Sequence, residues 1–122
     1  MKPNIPRVLI VDDEMDICFL LSNMCRGKNV LSSCANTLSE AQISMKNDPP
    51  SVLILDNHLP DGLGIEFIEY VKRYYPGTRI VMITAHDTPS DENIALKNGA
   101  DFFIGKPFSI KRVREAIEGL ID

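Results

Sequence analysis

Three four-residue runs, Val8-Leu9-Ile10-Val11, Val52-Leu53-Ile54-Leu55 and Ile80-Val81-Met82-Ile83, contain no polar residue, and each is halted by one. A strand with one face in water alternates apolar and polar side chains. A run without alternation needs cover on both faces, the condition of a parallel sheet between two layers of helices. Residues 30–35 and 101–104 are two weaker strand segments. Between the strands lie helical patterns. Ile17, Leu20, Leu21 and Met24 stand at i, i+3, i+4 and i+7, an expected inward stripe for the first helix. Thr37-Leu38-Ser39-Glu40 reads as a capping box opening a second helix that Pro49 and Pro50 stop. A third helix is expected over 65–75, carrying Phe67, Ile68 and Val71 and closed by Pro76-Gly77. A fourth runs from about residue 90 to Asn98-Gly99. The fifth has Ser109 as N-cap, with Ile110, Val113, Ala116, Ile117 and Leu120 inward. Strand and helix thus alternate five times. That pattern predicts an α/β doubly wound fold with right-handed crossovers, a five-stranded parallel sheet of order 2-1-3-4-5.

At 122 residues the chain is expected to be one domain, large enough to bury its own core. A net charge of −4 gives no basic face for direct nucleic-acid contact. Cys18, Cys25 and Cys34 form neither a CxxC pair nor a ligand cluster. They read as reduced, buried thiols of a cytoplasmic protein. Cys18 and Cys25, seven residues apart on one helix, lie two turns apart and cannot bridge. No apolar run approaches the ~20 residues that span a bilayer, and residues 1–7 lack a signal-peptide core.

The chemistry gathers where the apolar runs end. The first strand stops at Asp12-Asp13, the third at Asp56 and the fourth at Thr84, while Lys106-Pro107 follows the fifth. Open α/β sheets bind ligands at the carboxyl ends of strands, where strand order reverses. In the order 2-1-3-4-5, strands one and three are neighbours at that reversal, so Asp12, Asp13 and Asp56 should converge on one pocket. Three crowded carboxylates repel each other, and a hard cation relieves the repulsion. Few, oxygen-only ligands open to water suit Mg²⁺ better than a calcium cage. Together with the metal, the positive charge of Lys106 and a hydroxyl donor from Thr84 could neutralise the equatorial oxygens of a transferring phosphoryl group. An aspartate is already anionic at neutral pH and attacks phosphorus without a general base.

Four segments in order, VLIVDDE at 8–14, LILDNHLPDGLG at 53–64, ITA at 83–85 and NGADFFIGKPF at 98–108, resemble the response-regulator receiver (CheY-like) family over nearly the whole chain. The resemblance implies a single receiver domain over 1–122, which can be a domain excised from a longer response regulator. It implies that Asp56 is the phosphoacceptor, and that Asp12, Asp13, Asp56 and the backbone carbonyl of His58 hold Mg²⁺, with Mn²⁺ able to substitute. Lys106 would pair with the acceptor and then with the phosphoryl group. Thr84 would move to bond a phosphoryl oxygen, and Phe103 would hold the aromatic switch position. The donor would be a phosphohistidine on a sensor histidine kinase or phosphotransfer protein, or a small phosphodonor. The response would appear on the face of the fourth helix, fifth strand and fifth helix, addressed to an output domain or target protein. A phosphorylation-dependent homodimer also follows by resemblance. Such a domain catalyses only its own phosphorylation and slow dephosphorylation, so it is not an enzyme acting on an external substrate.

Some positions depart from the family or admit two readings. Phe103 lacks a phenolic hydroxyl, and packing alone would also explain it. His58 and His86, each two residues beyond a key position, either flank the path of the attacking water and set phosphoryl lifetime or are solvated loop histidines. Asp61-Gly62-Leu63-Gly64 lacks the GxGxxG spacing and reads as a turn into the third helix. The charged run at 111–115 is a solvated face or a partner surface. Rival functions fit less well. A non-phosphorylated pseudo-receiver acting as an interaction module should lack Asp56, the acidic pair or Lys106, and all are present. A haloacid-dehalogenase-type phosphohydrolase needs an acid two residues after its nucleophile, where this chain has His58. A flavin carrier would set its phosphate against an acidic pocket.

Overall fold

The computed structural model describes residues 5–85 and 88–121. The elements follow in the order β1 (Arg7–Val11), α1 (Met15–Arg26), β2 (Leu31–Ala35), α2 (Leu38–Asn47), β3 (Val52–Leu55), β4 (His58–Leu59), β5 (Gly62–Leu63), α3 (Gly64–Tyr74), β6 (Arg79–Thr84), α4 (Pro89–Asn98), β7 (Phe102–Gly105) and α5 (Ile110–Ile121). Five strands form one parallel sheet in the order β2-β1-β3-β6-β7. With β6 and β7 as its fourth and fifth strands, this is the expected 2-1-3-4-5 sheet.

The three apolar runs build two cores from one sheet, because successive side chains of a strand point to opposite faces. Val8, Ile10, Val52, Ile54, Val81, Ile83 and Ile104 pack under α1 and α5, with Cys18, Leu21, Val113 and Ile117. Leu9, Val11, Leu53, Leu55, Ile80, Met82 and Phe103 pack under α2, α3 and α4, with Met45, Ile68, Val71 and Ala95. All four residues of β3 are buried. At the sheet's edge, β2 is exposed except at Ala35.

Several local expectations need correction. The buried stripe of α1 is Cys18, Leu21 and Cys25, while Leu20 is exposed. Ile17 and Met24 pack partly buried against the same core as expected, so of the expected stripe only Leu20 is displaced, its place taken by the two thiols. Cys34 is exposed, because it lies on the edge strand. In the capping box, Thr37 Oγ1 accepts from Glu40 N–H at 3.1 Å as expected. The return bond goes one residue further, from Asn36 N–H to Glu40 Oε1 at 2.9 Å. Helix α4 begins at Pro89 behind a Thr88 cap. Ser109 caps α5, accepting from Arg112 N–H at 3.1 Å.

The segment 58–63 is more than a turn. Residues 58–59 and 62–63 form a small antiparallel hairpin. Its tip presents Asp61, which accepts the Leu38 and Ser39 N–H groups at 2.8 and 3.0 Å and so caps α2 from outside. Those two bonds hold the Asp61 carboxyl below the usual carboxylate range. Asp61→Ala should therefore fray the first turn of α2. Amide exchange at Leu38 and Ser39 should quicken by about an order of magnitude, and unchanged protection there would refute the cap.

Candidate functional site

The site is made by strand ends. Asp12 follows β1 directly and Asp56 follows β3. The β1–β3 ladder continues one residue past the strands, because Asp56 N–H donates to Val11 O at 2.9 Å. That bond sets the two carboxylates side by side at the sheet's carboxyl edge. Asp12, Asp13 and Asp56 each present an oxygen within 4.8 Å of the others. Asp12 and Asp56 are 2% and 6% exposed, and Asp13 is exposed, so the cluster has a buried floor and an open side.

Lys106 enters from the loop after β7, where its N–H donates to Thr84 O at 2.8 Å. Its ammonium lies 3.0 Å from Asp12 Oδ2, 2.9 Å from Glu14 Oε2 and 3.7 Å from Asp56 Oδ2. Thr84, the last residue of β6, is buried at 1% exposure beside Gly105 of β7. The expected Asp12, Asp13, Asp56 and Lys106 are thus brought together, with Thr84 ending the adjacent strand. Phe103 points into the inner core under α2, α3 and α4. His58 opens β4 with an exposed side chain. His86 lies outside the described residues.

Burial leaves its mark on these groups. The Asp12 carboxyl is pushed above its ordinary range, chiefly by burial, against opposing bonds from Glu14 N–H and Lys106. Asp56 is pushed up by burial and then by the charge of Asp12, with Lys106 offsetting part. Burial pulls the Lys106 ammonium down, yet Glu14, Asp12 and Asp56 together carry it above the ordinary lysine value. Two buried acids with repelling charges, sharing Lys106 among the described residues, are suited to a further cation. The donor set is all hard oxygen, which fits Mg²⁺.

Sequence reasoning missed three polar residues that shape this edge. Asn57 Oδ1 accepts Ile65 N–H at 2.9 Å, which caps α3, while Asn57 N–H donates to Asp56 Oδ1 at 2.9 Å. Asn36 Nδ2 donates to Asp12 O at 3.0 Å and steadies the acidic loop from β2. Glu14 reaches Lys106. A third consecutive acid after Asp12-Asp13 was the one available signal for it.

Comparison with known proteins agrees with this geometry. Residues 8–118 match the response regulator receiver domain model. The response regulator protein PilR of Pseudomonas aeruginosa is 34% identical over 91% of this chain and 25% of its own length. The KDP operon transcriptional regulatory protein KdpE of Escherichia coli is 37% identical over 84% of this chain and 45% of its own. The chain therefore spans between a quarter and under half of these curated relatives. The solution structure of the beryllofluoride-activated NtrC4 receiver domain dimer superposes with a TM-score of 0.89 at 36% identity, covering 93% of this chain and 94% of that one. With sheet order, acidic edge and family model in accord, this chain belongs to the response regulator receiver domain family of two-component systems.

Proposed function

We propose that this domain accepts a phosphoryl group on Asp56 in a Mg²⁺-dependent reaction and passes the change to the face formed by α4, β7 and α5. The observation that carries the reading is the convergence of Asp12, Asp13 and Asp56 within 4.8 Å, with the Lys106 ammonium 3.7 Å from Asp56. An Asp56 oxygen would attack phosphorus while the bond to the donor breaks, and the electron pair leaves with the donor's imidazole or carboxylate. Asp12, Asp13, Asp56 and the His58 carbonyl would hold Mg²⁺, or Mn²⁺ in its place. When bound, the ion neutralises phosphoryl charge. Lys106 would supply the second positive charge, and Thr84 a hydroxyl donor from the neighbouring strand.

The added dianion would draw Lys106 and Thr84 toward β3. Phe103 already packs inward, so its part would be to repack the space behind Thr84 rather than to swing in from solvent. His58 and His86 would tune the lifetime of the acyl phosphate. The donor would be a sensor histidine kinase or phosphotransfer protein in the cytoplasm. The KdpE name and the dimeric NtrC4 receiver support an output through a further domain and through pairing of two copies.

The test uses acetyl phosphate. With Mg²⁺, intact mass should show one added phosphoryl group, and borohydride should convert the labelled residue to homoserine at position 56. Chelating the metal should remove the adduct. Labelling elsewhere, or equal labelling without metal, would overturn the assignment.

A further inference from the structure

We propose, on the reading that Asp56 accepts the phosphoryl group, that Glu14 is a positioning residue that holds the Lys106 ammonium off Asp56 until transfer begins. The lysine leans toward the β1–α1 loop. Its hydrogen bonds go to Glu14 at 2.9 Å and Asp12 at 3.0 Å, whereas Asp56 at 3.7 Å lies beyond hydrogen-bond range. An ammonium has three donors. Glu14 and Asp12 engage two of them, and both bonds draw the ammonium toward the β1–α1 loop and away from Asp56.

The local backbone supports this assignment. Glu14 stands at the N-cap of α1 with φ −89° and ψ 111°, where the short side chains of Ser, Thr, Asp and Asn bond the first helical N–H groups but a longer glutamate is free to reach elsewhere. Glu14 makes no such bond, and its carboxylate reaches across to the β7–α5 loop. Its N–H meanwhile donates to Asp12 Oδ1 at 2.9 Å, so one residue orients both the acid and the lysine. Exposure then decides which contact can be given up. The Glu14 side chain is 60% exposed, against 3% for Asp12 and 7% for Asp56. A carboxylate already in water can release the lysine and be solvated, whereas a buried one would be left bare. Glu14 also stands outside the three-acid cluster suited to a cation, so its action is on the lysine.

Releasing an exposed ion pair is a small step, and the expected effect is correspondingly modest. Glu14→Gln and Glu14→Ala in the whole chain should take up phosphoryl from acetyl phosphate roughly two- to five-fold faster than the wild type. Here the bond from phosphorus to the acetyl oxygen breaks, the Asp56–phosphorus bond forms, and acetate departs with the electron pair. Rates are to be compared at Mg²⁺ saturation, established by titration for each protein, because loss of a nearby negative charge also weakens cation binding. Thermal melts confirm that the variants fold. The ¹⁵N signal of the Lys106 ammonium in Mg²⁺-free, unphosphorylated protein supplies the second reading and should move in both variants. An unmoved Lys106 signal would overturn the contact. A moved signal with equal or slower uptake would overturn the restraint and leave an ordinary surface ion pair. Absence of uptake by the wild type would instead overturn the phosphoacceptor reading, and this inference with it.

Discussion

Asp56→Asn should abolish phosphoryl uptake and, in the same protein, raise the melting temperature of the metal-free domain. The two effects have one origin. Asp56 is 6% exposed, and its carboxyl is held above the ordinary range by burial and then by the charge of Asp12. Lys106, at 3.7 Å, offsets only part of this. The fold therefore holds this carboxylate where its charge is less favoured than in the unfolded chain. Asparagine has nearly the same volume, so no cavity forms. It keeps the oxygen that accepts Asn57 N–H at 2.9 Å and removes the charge. The gain should appear as a rise of a few degrees in melting temperature.

The pH dependence has a definite sign. A carboxyl whose pKa is raised by folding contributes stability that is fully present below the unfolded value, about 4, and is lost as pH rises through the folded value. Wild type and Asp56→Asn should therefore melt together near the acid end and separate as pH rises toward neutrality, with the variant higher. Saturating Mg²⁺ should reverse the order at neutral pH. A ligand at a hundred times its Kd stabilises by about 2.7 kcal/mol, and on the proposed reading the variant would lack one anionic ligand. Scanning calorimetry at three pH values with and without Mg²⁺ would check the whole pattern. A metal-free variant less stable than wild type at pH 7 would show that Asp56 is held by attraction and not under repulsion.

The parts of this molecule legible in the sequence share one cause. Runs such as Val52-Leu53-Ile54-Leu55 carry their burial in their composition, and the polar residue that ends each run marks the carboxyl edge of the sheet. Asp12, Asp13, Asp56, Thr84 and Lys106 could therefore be placed once strand order was expected. What escaped has no periodicity. The cap that Asp61 supplies to α2 spans 23 residues and depends on a hairpin only two residues deep on each side. The bond from Asn57 to the start of α3 and the reach of Glu14 to Lys106 are likewise pairings of polar atoms, which side-chain type alone does not specify. In α1 only Leu20 was misplaced, because Cys18 and Cys25 behave as small buried hydrophobes and complete the inward face with Ile17, Leu21 and Met24.

Gly64→Ala should be among the most destabilising single-methyl additions in the chain, although α3 would otherwise gain helix propensity from alanine. Gly64 opens α3, and a Cβ there would collide with the carbonyl oxygen of Asp56 and lie 3.1 Å from Asn57 Cα. Neither obstacle is a side chain that can rotate away. Gly64 N–H donates to Asn57 O at 2.7 Å, and Asp56 N–H is bonded to Val11 O at 2.9 Å, so both walls of the collision belong to the sheet edge. Relief requires either lifting α3 or displacing the backbone of Asp56. Overpacking of this kind costs about 1–3 kcal/mol, and rigid backbone on both sides puts the expected loss near ~3 kcal/mol. Gly119 is the matched control. It lies in α5 with nothing within 4 Å of a Cβ, so Gly119→Ala should be neutral or stabilise by up to about 1 kcal/mol. Urea unfolding of both variants would measure the contrast. Gly64→Ala should also weaken Mg²⁺ binding, because shifting residue 56 spreads the carboxylates apart, whereas Gly119→Ala should not. Equal stability of the two variants would mean that α3 can move freely over the acidic edge, and the site would then lack the rigid floor on which its chemistry depends.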